Sequence, residues 1–266
     1  MNTILRFLPL LGMLAFAGAM NVAAKPVTQP FGLSVAGPVQ DGSQTAFGQN
    51  FASALYDVVV KDKTDFTNLT AVPGITSVQV DPSKIDLATA ADVRVYFVGD
   101  QEGNGKDKTY AVGFNPAGPG VTSGSPELIF NPAQTNGTTT NSTFPLLPGD
   151  YVDLGQFAAG SHLDFFAIAD PNPGYTTGSD ADLSMVFSTA DGNVNARAYA
   201  LSGSPYLLIT FEGRDKYGVD YNDVTIAVDI GMGNIRSLMG APEPSLALLL
   251  GGFTGTLLLS SGRRRD

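Results

Sequence analysis

The sequence of 266 residues contains no cysteine, no tryptophan and a single histidine, His162. Without cysteine there are no disulfides and no thiolate chemistry, so outside the reducing cytosol the fold would have to rely on its core, its size or a bound metal. A Ser–His–Asp triad would have to use His162, which follows Gly160 and Ser161 at the start of an apparent strand. We interpret it as an exposed or hydrogen-bonded loop residue rather than a general base.

Other signatures of catalysis are also missing. The sequence has neither a G-x-S-x-G elbow nor a phosphate-binding glycine loop that ends in Lys followed by Ser or Thr. We therefore expect that the protein is not an enzyme. Paired carboxylates for glycoside hydrolysis stay open as an alternative, because such pairs meet in space rather than in sequence.

Basic residues are scarce as well. The chain carries 15 Lys and Arg against 25 Asp and Glu, a formal net charge of −10. A surface of this sign repels nucleic-acid phosphates and attracts cations, so we expect no nucleic-acid partner. The apolar share of 43% and the 31 glycines and 17 prolines indicate a folded, loop-rich chain rather than a disordered one.

The N-terminal residues 1–24 have the pattern of a signal peptide. Arg6 precedes an apolar stretch, residues 7–19, and residues 22–24 (Val-Ala-Ala) have the small side chains that signal peptidase requires. The apolar stretch has 13 residues, fewer than the roughly 20 that span a bilayer. We expect cleavage before Lys25 and export of the protein.

The C-terminal segment 242–266 has three parts. The first part is the motif Pro242, Glu243 and Pro244. An apolar stretch follows it, and the third part is the basic cluster Arg263, Arg264 and Arg265. The apolar or small residues 246–261 would extend ~24 Å as a helix, enough to cross a thin hydrocarbon layer. The arginines would stay cytoplasmic and leave the preceding chain outside. We therefore expect a single transmembrane helix here.

This order of Pro-Glu-Pro, spanning helix and terminal arginines resembles the PEP-CTERM sorting signal. The resemblance implies cleavage near Pro242 by an exosortase-type membrane protease after transient anchoring in the inner membrane. It also implies a Gram-negative host that makes exopolysaccharide, and delivery of the mature protein to the cell envelope, the outer surface or the extracellular matrix. The sequence departs from the pattern in a short arginine run that ends in Asp266, and in Thr254 and Thr256, which interrupt the apolar stretch.

The region between the two ends consists of short apolar runs separated by Gly, Pro, Asn and Asp. The expected strands are residues 56–60, 77–80, 93–98, 110–114, 128–130, 151–154, 163–169, 183–187, 206–211 and 224–230. Helical periodicity is weak except around residues 49–55. This pattern predicts an all-β fold, a β-sandwich with jelly-roll connections as one candidate topology. We assign residues 25–50 to a leader or edge segment, 51–232 to the sandwich domain and 233–241 to a linker.

Three segments of the sandwich region occur in a characteristic order. They are residues 93–99 (Val-Arg-Val-Tyr-Phe-Val-Gly), residues 149–155 continuing to 163–166, and Phe-Glu at 211–212 followed by Asp-Tyr-Asn-Asp at 220–223. Together they are similar to a bacterial extracellular domain of unknown function that commonly accompanies PEP-CTERM tails. The resemblance implies a calcium-associated β-sandwich with no known catalysis.

The last of these segments supplies the candidate calcium ligands Glu212, Asp215, Asp220, Asn222 and Asp223. Calcium takes six to eight oxygen ligands, which clustered carboxylates, an Asn amide and the backbone of a tight hairpin can supply. The family pattern usually has a second acid directly after Phe-Glu, where this chain has a glycine followed by a basic residue, and fewer carboxylates imply weaker binding. The alternative is a polar hairpin whose Asp and Asn side chains cap their own turn.

A second acidic loop, residues 100–105 (Asp-Gln-Glu-Gly-Asn-Gly), also has oxygen-bearing side chains at alternate positions. It lacks the closing glutamate of a twelve-residue calcium loop, because Ala111 occupies that position. We interpret it as a hairpin turn organised by Asn104 and Gly105, separate from any calcium site.

These observations favour a non-enzymatic component of the cell envelope or extracellular matrix, sorted through its tail and stabilised by calcium. An alternative is a carbohydrate-binding or adhesive module that uses loop tyrosines such as Tyr175 and Tyr217 against exopolysaccharide. A polysaccharide hydrolase is the third candidate, and it would require two carboxyl groups about 5–10 Å apart in a cleft.

Overall fold

The computed structural model describes residues 33–57, 71–72, 75–100, 110–117, 126–131, 146–169, 186–213 and 221–240. The signal peptide and the sorting segment that the sequence predicts both lie outside these residues. Within the described ranges, no helix has the length and apolar character needed to cross a membrane.

The described chain is mostly strand. The strands are β1 (Ser34–Val35), β2 (Ala71–Val72), β3 (Ile75–Val80), β4 (Ala91–Asp100), β5 (Tyr110–Ala117), β6 (Glu127–Phe130), β7 (Tyr151–Phe157), β8 (His162–Ala169), β9 (Val186–Ser188), β10 (Ala196–Leu201), β11 (Tyr206–Phe211) and β12 (Val224–Asp229). The helical elements are a π-helix (Gly48–Ala52), α1 (Ser53–Tyr56), α2 (Met232–Leu238) and two 3₁₀ turns, Pro82–Lys84 and Thr189–Asp191.

The strands form two sheets. One has five strands in the order β1-β6-β5-β8-β9, and the other has seven in the order β2-β3-β10-β11-β12-β4-β7. Neighbouring strands are antiparallel, apart from the short parallel pair β1 and β6 at the edge of the five-stranded sheet. The two sheets and the predominance of strands confirm the prediction of an all-β sandwich.

The core lies between the two sheets. Alternate residues of β4, such as Val95 and Phe97, and of β8, such as Leu163 and Phe165, belong to one buried cluster that draws on both sheets. This alternation follows from strand geometry, because successive side chains point to opposite faces. The inward faces are therefore apolar, and their burial is the main source of stability in a chain without disulfides.

The outward face of the seven-stranded sheet is also covered in part, by residues 42–57, which we call the covering segment. Its Phe47 ring lies 4.4 Å from the Tyr96 ring and 5.0 Å from the Tyr206 ring, measured between centroids. Burial raises the pKa of Tyr206 to about 12. The covering segment thus forms a second, aromatic cluster on the far side of the sheet from the main core.

Glycines allow the covering segment to approach the loop before β7. A Cβ atom on Gly42 would collide with the carbonyl oxygen of Gly149, and a Cβ on Gly48 would collide with the carbonyl of Gly42. Gly149 itself has a φ of +100°, a conformation that residues with side chains rarely adopt. These close backbone contacts explain why glycine occupies all three positions.

The structure differs from the sequence prediction in the first strand. Tyr56, expected to begin a strand over residues 56–60, is the last residue of α1, and residues 58–60 lie outside the described chain. Phe47, Phe51 and Leu55 recur every four residues, and this spacing places them on one face of a helix that packs on the sheet. The helical turn that the sequence indicates around residues 49–55 is confirmed.

In place of the linker assigned to residues 233–241, the structure has α2 packed against the core. Ile235 is buried in the main cluster, and Leu238 and Met239 pack beside it. The Asn234 side chain accepts a 2.9 Å hydrogen bond from the Thr89 backbone N–H and donates to the carbonyls of Thr89 and Ile230. The spacing of the three apolar residues gives the helix one buried face, which an extended linker would leave exposed.

Strand β10 was not predicted from the sequence. Three of its six residues are alanine, which has a low β propensity, and no alternation of apolar and polar residues marks the segment. It forms because it lies between β3 and β11, with which it pairs along most of its length.

We predict that Gly42→Ala loosens the covering segment. The added methyl group meets the Gly149 backbone, so we expect a loss of about 1–3 kcal/mol in the free energy of unfolding, the usual range for overpacking. Once exposed, Tyr206 should ionise nearer its ordinary pKa of about 10. Thermal melts and an alkaline titration of tyrosine absorbance would measure both effects.

Gln44→Ala is the matched control, because it changes an exposed side chain of the same segment, and it should stay within about 0.5 kcal/mol of the parent. Unchanged stability and an unchanged Tyr206 titration in Gly42→Ala would show that the glycine contact does not hold the covering segment in place.

Candidate functional site

The candidate site lies at one end of the seven-stranded sheet, where β4 and β11 end and β12 begins. Val224, the first residue of β12, is directly opposite Asp100 on β4 and Phe211 on β11. Asp100, Glu212 and Asp223 therefore come to the same end of the sheet. Asp100 is 3% exposed and Glu212 is 5% exposed, so two carboxylates are almost fully buried there.

Backbone hydrogen bonds hold the turn between β11 and β12. The backbone N–H of Asp223 donates to the Phe211 carbonyl at 3.1 Å, and the backbone N–H of Glu212 donates to the Asn195 carbonyl at 3.0 Å. The Glu212 carboxylate reaches across the turn, and its Oε2 accepts a 2.7 Å hydrogen bond from the Tyr221 N–H. The hairpin that the sequence predicts around these residues is confirmed by the antiparallel pairing of β11 and β12.

The Asp223 carboxylate links the two sheets. Its Oδ2 accepts a 2.9 Å hydrogen bond from the hydroxyl of Tyr110, which stands on β5 in the five-stranded sheet, and another from the Gly213 N–H. A Cβ atom on Gly213 would meet the Tyr110 hydroxyl and would lie 2.7 Å from the same Asp223 oxygen. The crowding of these two side chains therefore favours glycine at position 213.

The Glu212 and Asp223 carboxylates each accept hydrogen bonds in this turn, from the Tyr221 N–H and from the Tyr110 hydroxyl and Gly213 N–H respectively. Such bonds stabilise a carboxylate that is removed from water. The side chains available, carboxylates and the buried Asn222 amide, offer oxygen atoms, which hard cations such as calcium prefer.

The structure brings together three of the five predicted calcium ligands. Glu212, Asn222 and Asp223 lie in the same turn, whereas Asp215 and Asp220 fall outside the described residues. In the part of the chain that the structure does describe, no group of three or more His, Asp and Glu side chains is arranged to hold a metal ion. Calcium binding therefore stays a prediction.

Residues 101–105, which the sequence analysis interprets as a hairpin turn, lie outside the described residues. Strands β4 and β5 belong to different sheets, so the chain between Asp100 and Tyr110 crosses from one sheet to the other. This crossing places Asp100 at the end of the sheet where the calcium ligands were predicted, rather than in a separate loop. The sequence analysis missed Tyr110 and Asp100 as members of the site because only cross-strand pairing brings them there.

The single histidine is paired with one carboxylate. His162 Nδ1 lies 2.9 Å from Asp86 Oδ1, and the two side chains are 30% and 64% exposed. The neighbouring Ser161 is fully buried, and its hydroxyl has no hydrogen-bond partner among the residues that the structure describes. Successive side chains of an extended chain point in opposite directions, so His162 is not placed to activate Ser161. The hydrogen-bonded, part-exposed histidine agrees with the sequence interpretation.

No protein-family model, curated protein or solved structure matches this chain. The geometry of the turn is therefore the basis for the functional argument that follows.

We predict that Tyr110→Phe weakens the fold through Asp223. The change removes one of the donors to the Asp223 Oδ2 and leaves this part-buried carboxylate less well solvated, which costs about 1–3 kcal/mol. Urea denaturation would measure the loss. Tyr151→Phe is the control, because its hydroxyl donates to the exposed Gln40 side chain, and it should cost less than about 0.5 kcal/mol. Equal losses in both variants would contradict a special role for the Tyr110 hydroxyl.

Proposed function

We propose that this protein is an exported structural component of the cell envelope or the exopolysaccharide-containing extracellular matrix, stabilised by calcium and sorted by an exosortase. The observation that carries the calcium part of the proposal is the convergence of Asp100, Glu212 and Asp223 at one buried end of the sandwich. Carboxylate oxygens are the ligands that a divalent cation such as calcium prefers.

The position of the turn explains how calcium would stabilise the whole domain. Asp223 already contacts Tyr110 of the opposite sheet, and Asp100 begins the crossing between the sheets. A cation bound there would hold together both sheets and the β11–β12 hairpin. A ligand that binds only the folded state stabilises it in proportion to the logarithm of its concentration. An exported chain without disulfides gains from such a link.

The C-terminal helix supports the sorting part of the proposal. Because α2 packs through Ile235 against the core, the described core extends to within a few residues of Pro242. Cleavage near Pro242 would leave α2 attached to the sandwich. The Pro-Glu-Pro motif, apolar stretch and terminal arginines remain the reason to expect an exosortase as the protease.

We predict processing at both ends of the chain in the native host. Mass spectrometry of the mature protein should find an N-terminus near Lys25 and loss of the segment after about Pro242. Replacing Arg263, Arg264 and Arg265 together with glutamine should reduce retention of the precursor at the inner membrane, because these charges hold the cytoplasmic end. Mature protein that still carries the terminal arginines would refute exosortase sorting.

We predict that calcium raises the melting temperature. In about 10 mM calcium, roughly ten to one hundred times the expected Kd, the gain is about 1.4–2.7 kcal/mol. Each kcal/mol moves the melting temperature of a domain of this size by roughly 2–4 °C, so we expect a rise of about 3–10 °C. The expected Kd is on the order of 10⁻⁴ to 10⁻³ M, as in extracellular calcium modules. Differential scanning calorimetry in chelator and in about 10 mM calcium would measure the shift.

The variants Asp220→Ala and Asp223→Asn should lose most of this calcium-dependent shift, and Asp100→Asn should reduce it because Asp100 adjoins the turn. Asp86→Asn is the matched control, since it removes an exposed carboxylate beside His162 and should leave the shift intact. A melting temperature that does not change with calcium would exclude a stability-linked site of this affinity, and an equal loss in Asp86→Asn would show that the cation binds elsewhere.

A further inference from the structure

Residues 33–40, which we call the strap, close one side of the sandwich. Strand β1, within the strap, pairs in parallel with β6 at the end of the five-stranded sheet. Further along the strap, Gln40 pairs with Tyr151 at the start of β7, which is the end strand of the seven-stranded sheet. The strap therefore runs from the edge of one sheet to the edge of the other and covers part of both.

Backbone hydrogen bonds attach the strap to these edges. The Ala36 N–H donates to the Leu128 carbonyl at 2.8 Å, and Gln40 and Tyr151 exchange two backbone bonds of 2.8 and 3.0 Å. A Cβ atom on Gly37 would lie 3.3 Å from a methyl carbon of Val152, so the strap passes close to β7. A sheet edge recognises an added extended segment in this way, through main-chain groups.

The side chains of the strap contribute less to its attachment. Val35 and Val39 are each 46% exposed. Ala36 packs at the margin of the main core, and Leu33 packs beside the small cluster on the outer face of the five-stranded sheet. The strap is therefore held mainly by backbone pairing. If it detaches, donors and acceptors on β6 and β7 lose their partners, and such groups pair readily with another extended chain.

A single short hinge joins the strap to the rest of the described chain. The strap precedes every other described element, and Asp41 and Gly42 connect it to the covering segment. The Asp41 carboxylate accepts a 2.8 Å bond from the Ser43 N–H, and Gly42 is crowded against the Gly149 carbonyl. Short, strained hinges favour exchange of a segment between copies, because exchange keeps every contact except those of the hinge.

We propose that the strap is an exchangeable strand, and that the protein associates with a second copy of itself when the strap of each copy pairs with β6 and β7 of the other. The occupant has the same sequence as the segment that it replaces, so the bonds of Ala36 and Gln40 re-form between chains. The proposal extends the structural role proposed above, and it depends neither on calcium nor on sorting. Exchange joins two sandwiches through the bonds that otherwise close one.

The absence of native cysteine makes exchange directly testable. Ser34 lies opposite Glu127 in the β1–β6 pair, and the two exposed side chains form a 3.2 Å hydrogen bond. Ser34→Cys and Glu127→Cys chains are co-expressed, and the purified mature protein is treated with a short bifunctional thiol reagent. Each chain has one cysteine, so a link between positions 34 and 127 must join two chains. We expect mass spectrometry to find this link in a dimer isolated by size-exclusion chromatography.

The matched control replaces Glu127→Cys with Val194→Cys. Val194 is 65% exposed and precedes β10, which lies four strands away from β7 in the seven-stranded sheet. Chance collisions would link this position as readily, whereas strap exchange would not, so we expect no link between positions 34 and 194.

The hinge provides a second test. Inserting Gly-Ser-Gly after Asp41 relaxes the connection and lets each strap return to its own chain. We expect the dimer fraction of the otherwise unchanged protein to fall several-fold in size-exclusion chromatography with light scattering. An unchanged dimer fraction would show that the hinge does not drive association.

The outcomes decide between strap exchange and its alternatives. Dimers without the link between positions 34 and 127 would overturn the proposal and would indicate direct pairing of exposed edges such as β7. A protein that is monomeric at every concentration tested would also overturn it. Neither result bears on the calcium-dependent melting temperature or on the processed termini, so failure of strap exchange is distinguishable from failure of the proposed function.

Discussion

The packing of the two sheets against each other is the interaction on which the rest of this structure depends. The chain has no disulfide, so the sandwich is stabilised by apolar side chains that both sheets point inward. Phe97 of β4 and Phe130 of β6 meet across this interface with their ring centres 5.9 Å apart and their planes nearly perpendicular, an arrangement that aromatic pairs favour. Every strand that carries a site residue is positioned by this interface.

The candidate site lies where that interface ends, and this position explains its chemistry. Asp100 and Glu212 are buried because the strands that carry them belong to the sandwich, and Asp223 reaches Tyr110 because the two sheets are close together. Carboxylates so near an apolar core are poorly solvated, so they need hydrogen-bond donors, which the Tyr110 hydroxyl and the Tyr221 and Gly213 N–H groups supply. The crowding that excludes a side chain at Gly213 has the same origin.

Aromatic side chains attach irregular segments of the chain to neighbouring structure in two places. The covering segment packs on part of the outward face of the seven-stranded sheet through Phe47 and close glycine contacts. Near the site, Tyr221 performs a comparable role on a smaller scale, since it fastens the β11–β12 turn to the turn before β10. In both places an aromatic side chain connects an irregular segment to the rigid sheet.

The sequence by itself determined strands such as β4, β8, β11 and β12, because runs of β-branched and aromatic residues bounded by turn residues are a local property of the chain. It also indicated the hairpin that carries Glu212, Asn222 and Asp223. Only the tertiary structure decided that β4 and β5 lie in different sheets, that Asp100 and Tyr110 join the turn, and that residues 232–238 form a packed helix. Pairing partners are distant in sequence, and the alanine-rich β10 becomes a strand only because β3 and β11 flank it.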